Sequence, residues 1–564
     1  MKQWLLRKEA LWAGGMLALF AGYLAFGDST DPCRDDAVGL AAAAGHGSDP
    51  LAEGEHVTVE GVVTGEFLGG EQLNGFFMQA EGGEGGPAAL FVYAPGLDEA
   101  ERQRVRPGVV LQVQGITDRF HGRPQIGQVD TIYRCGRPGR PEPKELTLPL
   151  TQADRDRFEG LLVRTTAPLT VTGNYQLGRH GTLKLAPERA YRQRSGDDPG
   201  SRVLLDDGSY RGAPEPVPYL DADSGTRRVG DRVNSVEGIL TYAFDRWRLH
   251  PVEPPEFEVA NPRPEAPEPV DGTARVAAFN VENYFLTLGE RGAANHKELE
   301  GQRGRLLPAL RALDADLLGL VEVENDPDTL KDLVRRASEA ADGPPYRAVI
   351  GGATGGDAIK VSLAYRPERI ELVDGPFRDS DPVHHRPPQA AVFQPHGEAP
   401  FLAVVVHFKS KIGCPSSGDV DRGQGCWNER RTTQAESLAR FVHSKLTQTG
   451  TGDAVLLGDF NSYAGEDPIR ALAEAGFLDI VAEELPPERQ YTYVFRGASG
   501  TLDYALANES MAARVTGATV WHINADEPPV FGYDGRLAED PAAAGQPFRS
   551  SDHDPVLLGI DPNG

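Results

Sequence analysis

Apolar and polar residues alternate in short runs between residues 55 and 132. The runs 56–63, 75–79, 89–93, 109–115 and 123–126 each read as a strand, with glycine-bearing turns between them. Five short strands at this spacing predict a small closed barrel over 33–145. The pattern then recurs. Glu159-Gly160-Leu161-Leu162-Val163 echoes Glu60-Gly61-Val62-Val63, and 230–240 echoes 107–116. A second barrel is therefore expected over 146–260, with a longer insertion around 186–226. Residues 261–272 open with Asn261-Pro262-Arg263-Pro264 and read as a stiff proline-rich spacer. Beyond Thr273 the periodicity changes: apolar strands at 275–281, 315–323, 359–365, 402–407 and 454–458 are interleaved with helical spacing at 302–313, 327–341 and 429–446. That alternation predicts a layered α/β domain over 273–561.

Composition refines this picture. The chain has 564 residues, 40% hydrophobic and 25% charged, which fits several globular domains and excludes a fibrous or wholly disordered protein. The formal net charge is −26, so a nucleic-acid or anionic-lipid partner would have to be met at a local patch. Only 10 of the 57 basic residues are lysine, a bias that either a salty environment or the base composition of the gene would produce. Lys2, Arg7 and Lys8 precede an apolar run from Leu11 to Phe26, with Ala25-Phe26-Gly27 after it. Residues 1–27 read as an export signal, an uncleaved anchor being the alternative. The four cysteines fall in two pairs, Cys33 with Cys135 and Cys414 with Cys426, expected as disulfides of an exported protein, secreted, periplasmic or at the cell surface.

Polar residues end the apolar strands of the α/β part. Asn280, Glu322, His407, Asp459, Asn461 and Asp503 each follow an apolar run, and Asp552 with His553 precedes one. Loops at strand ends are where such a domain gathers its reacting groups. Carboxylates without cysteine ligands favour a hard divalent cation, Mg²⁺ first, with Mn²⁺ or Ca²⁺ as alternatives. Two histidines can move protons near neutral pH. The chain lacks a G-x-S-x-G elbow and a Walker-type loop, which disfavours serine-hydrolase and P-loop chemistry.

The blocks Phe279-Asn280-Val281-Glu282-Asn283, Val321-Glu322-Val323-Glu324-Asn325, His407-Phe408-Lys409-Ser410-Lys411, Gly458-Asp459-Phe460-Asn461 and Ser551-Asp552-His553-Asp554-Pro555, in this order, resemble the endonuclease/exonuclease/phosphatase superfamily. Within it the blocks resemble the branch of bacterial extracellular endonucleases related to pancreatic-type DNase. The resemblance implies a four-layered α/β sandwich over about 274–560. It implies metal ligands at Glu322 and Asp552, with Asn280 beside them, and phosphate contacts from Asn280, Arg386 and Asn461. It also implies that Asp459 positions the nucleophile, that Asp503 supports His553, and that His407 contacts phosphate or protonates the leaving oxygen. The glutamate that supports the second histidine in the family has no counterpart here; only Asp357 lies near the aligned position.

The fold class expected is thus multidomain, with N-terminal all-β barrels of the OB type ahead of the sandwich. The function expected is metal-dependent hydrolysis of extracellular DNA, RNA being a further candidate. A phosphodiesterase or phosphatase acting on lipid headgroups or phosphomonoesters is the alternative, and a non-catalytic binding protein a third reading. Lys409, Lys411, Arg422, Arg430 and Arg431 flank the second cysteine pair and read as a basic patch for nucleic acid. Phe120, His121, Arg123, Tyr242, Phe244, Arg246 and Trp247 read as stacking positions on the barrels. A monomer without a membrane partner after signal removal is expected.

Overall fold

A computed structural model describes residues 33, 36–45, 51–80, 89–192, 201–352, 354–539 and 545–561. The expected signal lies outside the described residues. No helix among them is long and apolar enough to cross a membrane. The chain forms two compact units.

The first unit holds residues to 146 together with 151–164 and 237–253. Its strands His56–Phe67, Gly75–Gln79, Ala89–Tyr93, Arg123–Gly136 and Val110–Phe120 close into a barrel in that order. The inward positions of the period-two pattern, among them Val59, Val63, Phe76, Met78, Leu90, Val92, Leu111 and Val113, form its buried core. Cys33 and Cys135 are disulfide-bonded across 102 residues. Leu162 and Ile239 pack with Phe67, Phe77 and Phe91 in a smaller cluster on the same unit.

The second barrel expected over 146–260 is not a body of its own. Strands Leu162–Thr165, Glu237–Ala243 and Arg246–Pro251 fall almost wholly in the first unit. Strands Leu169–Gly173, Thr182–Ala186, Val203–Asp206, Arg232–Val233 and Phe257–Glu258 belong to the second unit, paired in the order 257–258, 232–233, 169–173, 182–186, 203–206. The reason is physical: a period of two marks a strand and its buried face but does not specify its partners. The proline-rich segment is likewise no free spacer, because Arg263 pairs with buried Glu527 at 2.8 Å.

The rest of the second unit carries two six-stranded sheets. One runs Arg347–Ala348, Ile359–Tyr365, Leu317–Glu324, Ala274–Tyr284, Val556–Ile560, Val515–Val520. The other runs Ile370–Arg378, Gln389–Pro395, Phe401–His407, Asp453–Asp459, Asp503–Asn508, Phe477–Asp479. Their facing sides share one apolar core that includes Val276, Val321, Val361, Val405, Val455 and Val556. Helices His296–Leu313 and Pro327–Ala340 pack on the outer side of the first sheet, and Asn428–Thr449 and Asp467–Glu474 on that of the second. Sheets buried on both faces explain the near-continuous apolar runs of their central strands. The helix starts are written locally: Asn295 caps Glu298 N, and Asp326 caps a helix whose first residue is Pro327.

Candidate active site

Register assembles the site. Strands Phe401–His407 and Asp453–Asp459 are parallel neighbours with His407 opposite Asp459, and Asp503 opens the antiparallel strand on the other side, opposite Asp459. His407, Asp459 and Asp503 therefore form one row across three strands. In the facing sheet, Asn280 pairs with Val321 next to Glu322 on parallel strands, so these residues reach the same end of the sandwich. Register irregularities between Asn280 and Tyr284 and between Leu320 and Val323 coincide with positive φ at Glu282, Asn283 and Glu322. Bulges of this kind turn side chains out of the strand's alternation, and non-glycine residues held there store about 1–3 kcal/mol each. Gly458 (φ 123°) is needed ahead of Asp459, because a Cβ there would lie 2.3 Å from the Val406 carbonyl oxygen.

The hydrogen bonds define each group's state. His553 Nδ1 lies 2.6 Å from Asp503 Oδ2, which fixes the ring and leaves Nε2 for chemistry. Burial opposes the charge on His553, but Asp503 and Asp552 outweigh it and raise its pKa well above the ordinary value. Asp459 Oδ1 accepts from Asn461 N at 2.7 Å and its Oδ2 from Asn461 Nδ2 at 3.1 Å. Burial lifts Asp459 to about 7, although His553 pulls the other way. The ligand atoms of Asp459, Asp503 and His553 lie within 4.8 Å of one another, close enough to hold a cation, yet the 2.6 Å contact makes Asp503 and His553 a carboxylate–histidine pair first.

Opposite them, Glu322 accepts from Asn280 Nδ2 at 3.3 Å and Asn283 N at 3.2 Å. Burial and then Asp552 raise its pKa. Glu282 was not singled out in the sequence, although it stands two residues after Asn280 in the same motif. It is raised to about 8 by burial, against the pull of Arg549 3.5 Å away, with Asp552, Asp534 and Glu322 adding to the rise. Its Oε2 is buried without a hydrogen-bond partner. Arg549 went unremarked as well, three residues ahead of Asp552.

Arg386 reaches the site, placing Nη1 3.1 Å from His407 Nε2 and Nη2 2.6 Å from the Phe408 carbonyl oxygen. Arginine only donates, so His407 Nε2 is the acceptor and its proton sits on Nδ1, which has no partner. Burial, reinforced by Arg386 and His553, holds the His407 pKa well below its ordinary value. Neutral His407 in this arrangement has no proton on Nε2 to give. Asp357 does not replace the family glutamate: it faces Arg291 at 3.5 Å and Arg386 at 3.9 Å.

The expected basic patch is largely engaged in contacts with its own loop and with Glu466. Arg431 is fully buried and donates to the carbonyls of Lys409, Gln424 and Cys426 and to Ser462 Oγ. Lys411 pairs with Glu466 at 2.5 Å, and Arg422 with Glu429 at 2.9 Å. These residues brace the loop closed by the Cys414–Cys426 disulfide. Lys409 lies over the Trp427 ring at 5.3 Å. In the first unit Trp247 is buried and Arg123 lies over Phe91, whereas Phe120 and Phe244 are 52% and 60% exposed with His121 between them.

No curated protein matches the chain. Solved structures that resemble it include an endonuclease/exonuclease/phosphatase from Bacteroides vulgatus (17% identity, TM-score 0.34, covering 51% of this chain and 98% of that one). A mannosyl-6-phosphatase from Bacteroides thetaiotaomicron has 17% identity and a TM-score of 0.33, with 51% and 99% covered. An AP endonuclease from Archaeoglobus fulgidus has 20% identity and a TM-score of 0.32, again with 51% and 99% covered. Residues 277–553 match the model of the Endonuclease/Exonuclease/phosphatase family. The region of residues 277–553 is thus a member of the endonuclease/exonuclease/phosphatase family.

Proposed function

We propose that the chain hydrolyses phosphodiester bonds of DNA, and of RNA as a second substrate, outside the cytoplasm and with a divalent cation, Mg²⁺ first. The observation that carries this reading is the convergence of the Asp503–His553 pair, Asp459 and Asn461 from one sheet with Asn280 and Glu322 from the other. The donor set fits a hard cation: Glu282 and Glu322 are largely shielded from solvent with pKa values raised by burial and by Asp552, and Glu282 Oε2 has no hydrogen-bond partner. Glu322, Asp552 and Asn280 would hold the ion, with Glu282 as a further ligand. When bound, it would polarise a phosphoryl oxygen and offset charge in the transition state.

The remaining roles fall to the chain's own groups. His553, oriented by Asp503, takes the proton of the attacking water at Nε2 once it is itself deprotonated. Asn461 and Asp459 orient that water. Arg386 offers a buried guanidinium to a phosphate oxygen; its Nε has no hydrogen-bond partner and lies 3.9 Å from Asp357. His407 serves as a neutral acceptor that aligns Arg386, instead of the proton donor expected from the family pattern. We infer further that the closed barrel is of the OB type. The barrel's exposed Phe120 and, on the hairpin of strands Glu237–Ala243 and Arg246–Pro251, the exposed Phe244 with Arg248 5.4 Å from its ring suit stacking of unpaired bases at about 1–3 kcal/mol each. The two disulfides support export.

Parallel assays on DNA, a chromogenic phosphodiester, a chromogenic phosphomonoester and phospholipid vesicles separate the readings. Turnover of DNA and the diester with little on the others is expected. Release from the monoester or the lipid with DNA left intact would overturn the substrate assignment.

A further inference from the structure

Asp526 and Glu527 are almost wholly buried in the second unit. Buried carboxylates persist only where cations and donors compensate them. Here the compensation comes from the chain ahead of the α/β region: Arg189 and Arg228 face Asp526, Asn261 donates to its Oδ2 at 2.8 Å, and Arg263 pairs with Glu527.

Arg189 does more than neutralise. Its guanidinium carbon lies 3.9 Å from the centre of the Tyr491 ring, and its Nε donates to Ser499 Oγ at 2.9 Å. The His522 ring stacks on Tyr491 at 3.9 Å and 7°. Two groups at that distance cannot share one face, so Arg189, Tyr491 and His522 form a three-layer stack. The Tyr491 hydroxyl donates to Asp526 Oδ2 at 2.7 Å, and Arg228 Nη2 donates to the His522 carbonyl at 2.6 Å. At the far side of the stack, His522 Nδ1 lies 3.0 Å from Asp554 Oδ2. Asp554 Oδ1 accepts from Asn524 N at 2.8 Å. The Asn524 side chain accepts from Ser550 N and donates to the His553 carbonyl at 2.7 Å. Arg549 N and Asp554 N bond to the carbonyls of Ile523 and Thr492. Every link is a hydrogen bond, an ion pair or a ring contact, and the chain ends on the loop that carries Asp552 and His553.

We propose that Arg189 and Arg228 are positioning residues for the 549–554 loop, acting through Tyr491, His522 and Asn524, so that a segment outside the family region completes the hydrolytic site. The activity arm of its test rests on the hydrolase reading above; the exchange arm does not. Amide hydrogen exchange would be measured on the full chain for wild type, Arg189→Met, which keeps length without charge, and His522→Phe, which keeps the stack and removes the bond to Asp554. Exchange at 549–555 should rise about tenfold or more in both variants, while 56–67 and 359–365 stay protected. On plasmid DNA, kcat should fall about tenfold with KM within about twofold, and Arg189→Lys should recover only part of the loss. The double variant should be no slower than the slower single one, because both act along one chain of contacts. Wild-type protection at 549–555 in the variants, or loosening confined to 186–192, would overturn the proposal. Should Arg189→Met fail to fold, His522→Phe decides by the same exchange criterion. A wild-type enzyme inactive on every phosphoester would sink the hydrolase reading, while the exchange result still judges the positioning chain.

Discussion

Replacing Asp526 by Asn keeps the side chain's size and removes the charge on which Arg189 and Arg228 converge. The aspartate is fully buried, and its pKa is drawn from 3.8 to about 2: burial works against ionisation, but Arg189, Arg228 and His522 outweigh it. That depression favours the folded state by about 2.4 kcal/mol at neutral pH. The variant also leaves the Arg189 guanidinium without its counter-charge and Arg228 with Glu527 alone, so the total loss should be about 3–5 kcal/mol. The sign follows from the depressed value: this stabilisation is present above pH ~4 and is lost as pH falls through ~2. Urea unfolding of wild type and Asp526→Asn, followed by tryptophan fluorescence to which buried Trp521 contributes, measures the difference at pH 7 and at steps down to pH 3. The gap should be widest near neutrality and begin to narrow below pH 4. A loss under about 1 kcal/mol at pH 7, or a gap constant down to pH 3, would refute the view that this carboxylate anchors the arginines.

Glu322→Gln removes a proposed anionic ligand at constant size; metal affinity by chelator titration should fall at least about tenfold, with turnover falling alongside. His553→Ala should instead lower turnover about 10²–10⁴-fold with metal affinity nearly unchanged, because the role proposed for it is proton transfer. Arg431→Met should loosen the loop between Cys414 and Cys426, read as faster amide exchange there, since it strips donors from three carbonyls. A fragment beginning at residue 273 should aggregate or melt well below the full chain, because it lacks Arg189, Arg228, Asn261 and Arg263; a stable, fully active fragment would count against the packing described.

The α/β region was legible because its strands are buried on both faces and its polar residues stand at their ends. Asn280, Glu322, His407, Asp459, Asp503 and His553 were found that way, and register then places three of them in one row. Glu282 was hidden by a bulge, since no periodicity announces a side chain turned out of its alternation. Arg431 and Lys411 look like phosphate ligands in sequence, where an arginine bracing carbonyls reads the same as one awaiting an anion. The second barrel failed for another reason: strands at 162–165 and 169–173 carry the same period but fall largely in different units, and partners far apart along the chain leave no local trace. Buried Asp526 and its arginines were unreadable for the same cause, lying more than 290 residues apart.

The proposed metal-dependent cleavage of DNA at the site shared by Glu322 and His553 can be tested directly. Purified full-length protein incubated with supercoiled plasmid and Mg²⁺ should yield nicked and then linear DNA, lose that activity on chelation, regain it on metal addition, and lack it in Glu322→Gln at the same Mg²⁺ concentration. Plasmid left supercoiled across Mg²⁺, Mn²⁺ and Ca²⁺, or cut equally well by Glu322→Gln in chelator, would exclude metal-dependent cleavage at this site.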